Sequence, residues 1–172
     1  MNHFCLKCGT LLITKKNDGR DREICPACGW VNYEILKVSA GVRIEKDGRL
    51  LLVQRGIHPW KGLWYLPAGF VEVDEEPYQG AIREAFEETG LQVKLTKLVD
   101  VYTYTDDPRG NGIVVLYDAE IESGELRLTP ETMDAGFYSV DEILNMKFAG
   151  LTVTKEVNDW LHLKGCEKEV QA

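Results

Sequence analysis

Long apolar runs are missing from this chain. No segment reaches the roughly 18 consecutive apolar residues that a membrane-spanning helix needs. The opening MNHFCLKCGT lacks the basic-then-apolar layout of a secretory leader, so a soluble, cytoplasmic protein with no membrane partner is expected. Positive charge is also scarce: 20 Lys and Arg stand against 28 Asp and Glu, a formal net charge of −8. This argues against a broad surface for duplex nucleic acid or anionic lipid. It leaves room for a phosphorylated small molecule, because a bound cation can supply positive charge locally. Internal repeats and low-complexity tracts are lacking, which excludes solenoids and arrays. The three histidines, His3, His58 and His162, form no constellation with one another.

The five cysteines are distributed unevenly. Four stand in two tight pairs, Cys5-Leu-Lys-Cys8 and Cys25-Pro-Ala-Cys28, each followed by glycine, and Cys166 stands alone as an expected free thiol. A Cys-x-x-Cys turn lets two thiolates converge on one ion, and the following glycine permits a close backbone approach. Two such turns supply four sulfurs in a tetrahedron, which suits Zn²⁺ and leaves no open position for catalysis. Two disulfides, or four buried free thiols, are the alternatives. A redox pair is less consistent with the chain, since no βαβ pattern surrounds either motif. The segment resembles a zinc ribbon. Its first 30 residues carry five Lys/Arg and three Asp/Glu, a balance that gives no nucleic-acid patch.

After Tyr33 the character changes. Val38 to Ile44 reads as a strand, Lys46-Asp-Gly-Arg49 as a hairpin turn, and Leu50 to Gln54 as the returning strand. GIHPWKGLWYLPAG reads as a loop, and TKKNDGRDRE inside the cysteine segment as polar and turn-like. A helix is predicted from Pro77 to Thr89, with proline at its first position and Gly90 at its stop. Tyr78, Ala81, Ile82, Ala85 and Phe86 recur at helical spacing and predict one apolar face. Strands follow over about 92–105 and 112–121, then a short strand near 136–139. A helix around 141–146 and a last helix over about 153–163 complete the order, which indicates an α+β fold. The boundaries expected are 1–33 for the ribbon, 37–165 for the main domain and 166–172 for a tail.

The predicted helix ends in Arg83-Glu-Ala-Phe-Glu-Glu-Thr-Gly90. Residues three and four apart share a helix side, so Glu84, Glu87 and Glu88 project together, opposite the expected apolar face. A solvated charged face is the ordinary meaning of such a run. Two features weigh against it. One arginine accompanies three acids, so alternating salt bridges cannot lace them. Gly69 and Glu75 also stand at fixed offsets upstream.

Taken together, residues 69–91 match Gly-x5-Glu-x7-Arg-Glu-U-x-Glu-Glu-x-Gly-U, with U apolar, through Gly69, Glu75, Arg83, Glu84, Ala85, Glu87, Glu88, Gly90 and Leu91. The chain therefore resembles the Nudix hydrolases over roughly Lys37 to Leu163. The resemblance implies an α/β/α sandwich around a mixed β-sheet, behind a small N-terminal zinc ribbon. It implies that Glu84, Glu87 and Glu88, with the backbone carbonyl of Gly69 or Ala68, hold Mg²⁺ or Mn²⁺. Clustered oxygens suit such hard cations, and a cation relieves the repulsion among the acids. Glu87 is the expected proton acceptor for the attacking water. Glu75 and Arg83 orient the loop and helix. A further carboxylate from beyond the box is expected at Glu131, with Asp134 as its rival.

The implied activity is metal-dependent hydrolysis of a nucleoside diphosphate linked to another group, by water attack at phosphorus. A zinc ribbon before such a domain resembles the NADH pyrophosphatase branch. That branch carries Ser-Gln-Pro-Trp-Pro-Phe-Pro-x-Ser after the box; here the only later prolines are Pro108 and Pro130. ADP-ribose or a related dinucleotide remains open beside NADH. Phe70, Tyr102, Tyr104 and Trp64 are candidate base platforms, and Arg55 and Arg109 candidate phosphate or ribose contacts. Two other readings stand: a nucleotide-sensing module whose ribbon grips nucleic acid or protein, and a pyrophosphatase for oxidised nucleoside triphosphates. A homodimer is a family-level expectation.

Overall fold

A computed structural model describes residues 3–171 and divides the chain into two compact units, residues 1–35 and 36–172. In the first, β1 (Ile13–Asn17), β2 (Arg20–Ile24) and β3 (Val31–Asn32) form a small antiparallel sheet. The segment expected to be a polar turn is therefore a hairpin. Its tip, Asp18 at φ 51° and Gly19 at φ 78°, repeats the left-handed pair at Asp47 and Gly48, φ 52° and 72°. This is the backbone that an Asp-Gly turn favours. The hairpin carries a minute core of Cys5, Leu12 and Cys25 with Trp30 against it.

The second unit is built on β4 (Lys37–Lys46), β5 (Arg49–Arg55), β6 (Trp64–Tyr65), β7 (Ala68–Phe70), α1 (Pro77–Thr89), β8 (Leu91–Tyr104), β9 (Gly112–Gly124), β10 (Thr132–Tyr138), α2 (Val140–Ile143) and α3 (Gly150–Leu163). Its main sheet runs β10-β5-β4-β9-β8 and is mixed: β4 and β9 are parallel, the other neighbours antiparallel. Leu51 points to one face, with Ala40 and Val42 of β4 and with Ala81 and Ala85 of α1. Leu50 and Leu52 point to the other, with Ile143, Val157 and Trp160 of α2 and α3. This period-two alternation makes the α/β/α sandwich. The segment expected as a tail packs back onto α3. The Val170 amide donates to Asn158 Oδ1 (2.8 Å), and the Val170 side chain is buried. Among the described residues no helix is long and apolar enough to cross a membrane.

β4 and β5 pair only beside their turn, at Glu45↔Leu50 and Lys46↔Arg49. Beyond it they part, β5 pairing with β6 and β4 with β7. The loop GIHPWKGLWYLPAG thus contains two short strands, too short to show a period. This parting of the sheet positions the site.

Candidate active site

α1 begins at Pro77 after Glu76, whose amide donates to Gln79 Oε1 (2.8 Å), and stops at Gly90, left-handed at φ 77°. Its buried face is narrower than expected. Ala81 and Ala85 are fully buried, whereas Tyr78 and Phe86 are exposed. Two alanines let the helix lie close to the sheet, and that proximity walls in the next residue at helical spacing. Glu88 is consequently buried at 8% exposure on the same side as Ala81 and Ala85, not opposite them. Glu84 keeps 15% of its side chain exposed and Glu87 56%. The three acids grade from core to solvent.

Glu88 accepts hydrogen bonds from the Tyr65 hydroxyl (2.6 Å) and the Ala68 amide (3.0 Å). Burial nevertheless pushes its carboxyl up to about 8, against those bonds and with the help of the Glu84 charge. Burial also raises Glu84. Arg83 supplies the local positive charge. It grips Glu75 (2.6 and 3.1 Å), Glu84 (2.7 Å), Glu87 (3.1 Å) and the Phe70 carbonyl (2.9 Å). Glu75 is held below the usual carboxylate range by that contact. Arg83 and Glu75 thus tie the turn after β7 to the helix. Gly69 sits directly over Glu84: a Cβ there would collide with the Glu84 carboxylate.

Glu84 and Glu88 open into a cleft of about 270 Å³ at the parting of β4 and β5, whereas the exposed Glu87, expected at the site, is not among its lining groups and is held by Arg83. Glu84 and Glu88 line it from α1, and Thr152, Val153 and Glu156 from α3 on the other face of the sheet. Gly69, Phe70, Arg55, Tyr104, Arg109 and Glu131, all named as candidates in the sequence, also line it. The Glu131 carbonyl accepts from the Gly56 amide (2.7 Å), which fixes its loop beside the end of β5. Asp134 instead lies within β10, accepts from the Ala135 amide (2.8 Å) and is not among the lining groups. Tyr102 is not at the cleft either: it is buried in the core, its hydroxyl donating to Asp159 (2.8 Å). Trp64 packs edge-on against Tyr138, centroids 4.9 Å apart. The half-exposed Phe70 ring has Arg109 at 5.1 Å and Lys37 at 5.3 Å from its centroid.

Sequence reasoning missed Tyr65, Trp60, Asp106 and Glu156 as lining groups. For Glu156 a signal existed. It falls on the side of the last helix that Val157 and Trp160 bury, where an acid is out of place. Asp106 accepts from the Leu151 amide (2.8 Å) and so caps the start of α3 from another loop, which no local pattern foretells.

In the ribbon the cysteine Sγ atoms lie 3.4 Å (Cys8–Cys25) and 3.6 Å (Cys5–Cys28, Cys8–Cys28) apart. Gly9 and Gly29, at φ 72° and 73°, close each knuckle by donating to the Cys5 and Cys25 carbonyls (2.8 and 3.0 Å). Among the described residues this is the only group of three or more Cys, His, Asp or Glu whose ligand atoms all lie within 4.8 Å of one another. Glu84, Glu87 and Glu88 do not converge to that degree: Arg83 bridges Glu84 and Glu87, while Tyr65 and the Ala68 amide hold Glu88. Their hard oxygen donors still fit a divalent cation: two are buried with raised affinity for protons, the state that a cation relieves.

Comparison with known families gives two matches along the chain, a NUDIX domain over residues 35–161 and a Nudix N-terminal segment over 3–34. The chain is 36% identical to an ADP-ribose pyrophosphatase of Methanocaldococcus jannaschii over 118 residues, 68% of this chain and 70% of that relative. It is 33% identical to the NAD-capped RNA hydrolase NudC of Haemophilus influenzae over 144 residues, 82% of this chain and 53% of the relative. It therefore spans about half the length of the NudC relative. A solved NUDIX hydrolase from Nitrosomonas europaea superimposes with a TM-score of 0.79 at 28% identity, covering 98% of this chain and 96% of that one.

Proposed function

The chain belongs to the Nudix family, and from that premise we propose that it is a metal-dependent pyrophosphohydrolase acting on a nucleoside diphosphate linked to a second group, with ADP-ribose the leading substrate. One observation carries the reading. Glu88, buried in a cleft with Glu84 beside it, has no basic side chain among its hydrogen-bond partners in the described residues, an arrangement that favours a cation. The complete box around it supports the same conclusion, and a pure sensor has no need of all three acids. The name of the Methanocaldococcus relative favours ADP-ribose. The missing proline-rich signature argues against NADH.

Glu84, Glu87 and Glu88, with the carbonyl of Ala68 or Gly69, would hold Mg²⁺ or Mn²⁺. When bound, such a cation neutralises diphosphate charge and acidifies a coordinated water. Glu88 anchors the site through Tyr65 and Ala68. Glu87, the most solvent-facing acid, takes the water proton. Glu131, which lines the same cleft, serves as a second proton acceptor. Arg55, its Nε already donating to the Pro59 carbonyl (3.0 Å), presents its remaining donors to phosphate or ribose. Phe70 and Tyr104 offer ring surface, and the four cysteines hold structural Zn²⁺.

The test is a panel of ADP-ribose, NADH, NAD, diadenosine polyphosphates and oxidised triphosphates with Mg²⁺ or Mn²⁺, following phosphate-monoester products. The expected result is ADP-ribose turnover to AMP and ribose phosphate. Glu87→Gln or Glu88→Gln should lower kcat by at least about 100-fold without loss of fold. Tight nucleotide binding without any hydrolysis would overturn the reading in favour of a sensor.

A further inference from the structure

Three buried side-chain polar atoms among the described residues have no hydrogen-bond partner: Arg22 Nε in the ribbon, Tyr104 Oη and Glu156 Oε1. The last two line the same cleft, from β8 and from α3. A buried polar atom left unpaired is costly, so two in one cavity call for an occupant. Glu156 is only 3% exposed, and no hydrogen bond reaches its carboxyl from any described residue. Nor does it belong to the acid cluster of α1. It comes from the opposite face of the sheet, so the cleft has a diphosphate end at Glu84 and Glu88 and a second end that those residues do not serve.

We propose that Glu156 is a specificity-determining residue whose carboxyl reads the edge of the nucleobase, taking a base that presents one hydrogen-bond acceptor beside one amino donor, as adenine does with N1 and N6. This deepens the reading of the cleft as a nucleotide site and rests on it. The chemistry follows from protonation. A neutral carboxyl offers one O–H donor and one carbonyl acceptor side by side, which adenine's N1 and N6 complement. An ionised carboxylate offers only acceptors and would face the N1 lone pair. Burial, with Asp159 one turn away on α3, pushes the Glu156 carboxyl up to about 8, while Arg43 on β4 pulls the other way. Arg43 is committed to Asp118 by two bonds (2.7 and 3.1 Å), and Asp159 to Tyr102. Tyr104 and Thr152 line the same cleft; the Thr152 hydroxyl already donates to the Thr103 carbonyl (3.0 Å), and the Tyr104 hydroxyl, unpaired, can donate or accept.

The experiment compares ADP-ribose with 1,N6-etheno-ADP-ribose, in which N1 and N6 are tied into a ring, on the full zinc- and Mg²⁺-loaded chain. The wild type should prefer ADP-ribose by about tenfold or more in kcat/KM, and Glu156→Ala should bring that ratio close to one. With ADP-ribose, the wild-type KM should rise between pH 7 and 9 as the carboxyl ionises. In Glu156→Gln, which keeps one donor and one acceptor, that rise should be absent. A merely structural acid would move neither the etheno ratio nor the pH dependence of KM. Equal use of both substrates by the wild type, or an etheno ratio unmoved in Glu156→Ala, overturns the inference and leaves the hydrolase reading standing. Hydrolysis of neither substrate sinks the hydrolase reading itself. Should Glu156→Ala fail to fold, the wild-type ratio and the Glu156→Gln pH profile still decide.

Discussion

Tyr65 donates the only side-chain hydrogen bond that Glu88 receives among the described residues, and it comes from a position the acidic motif does not contain. That bond favours the charged carboxylate and so works against the burial that raises its proton affinity. Tyr65→Phe keeps the ring and deletes the bond. Protons then compete better with the metal, and the Mg²⁺ concentration for half-maximal activity should rise about tenfold, within the range for groups that support metal ligands. An unchanged Mg²⁺ titration would show that Tyr65 serves packing alone. Gly69 yields a sharper case, because its Cβ would meet the Glu84 carboxylate itself. Gly69→Ala should lower kcat/KM by about 100-fold while circular dichroism stays native. Glu156 has a stability consequence independent of ligand. Its carboxyl binds protons more tightly when folded, at about 8 against an ordinary 4.5. The associated stability is complete below the ordinary value and is lost as pH rises through about 8. Every tenfold gain in proton affinity on folding corresponds to about 1.4 kcal/mol. Glu156→Gln should therefore unfold at a clearly higher temperature than wild type at pH 9, with the difference closing near pH 5.

β4 and β7 meet where a side chain would not fit. A Cβ on Gly41 would lie 2.5 Å from Ala68 Cβ and 2.7 Å from the Pro67 carbonyl oxygen. Gly41→Val should therefore push β7 outward, carrying Ala68 and Gly69 away from Glu88 and Glu84. The expected cost is about 1–3 kcal/mol in unfolding free energy, with a larger relative loss of activity than of stability, checked by denaturant melts beside kinetics. Elements differ in how openly the sequence announces them. α1 was legible from Pro77 to Thr89 because proline, helical spacing and Gly90 all agree. β6 and β7 were hidden in a Gly- and Trp-rich loop, since two or three residues show no period and their pairing depends on distant strands. The ribbon hairpin reads in the sequence only as a polar turn, although it carries the same Asp-Gly pair, Asp18-Gly19, as the turn at Asp47-Gly48; its strands are polar because the ribbon buries almost nothing. At the site, the acids were legible and their surroundings were not. Glu84, Glu87 and Glu88 follow from the motif, whereas the burial of Glu88 depends on how closely Ala81 and Ala85 approach β4. Tyr102 and Tyr104 look alike in sequence and separate only in the fold, one bonded to Asp159 in the core and the other at the cleft.

The whole molecule is two units with unequal means of support. Residues 36–172 bury two hydrophobic clusters on opposite faces of one sheet, a core sufficient for independent folding. Residues 1–35 bury Cys5, Leu12 and Cys25 with Trp30 beside them, far too little apolar surface to offset the entropy of ordering the segment. If the four-sulfur site holds the proposed zinc, metal binding there supplies folding free energy. A zinc-selective chelator in the presence of excess Mg²⁺ should therefore melt the ribbon alone. The amide signals of residues 3–34 should collapse into the unfolded envelope, while those of residues 36–171 and the thermal midpoint of the larger unit hold. Adding back one equivalent of Zn²⁺ should restore the ribbon. Cys25→Ser, which removes a buried ligand, should reproduce the chelated spectrum without chelator. Retention of the ribbon's dispersed signals after zinc is shown to be gone would mean that its hairpin is held by packing, against what so small a core allows.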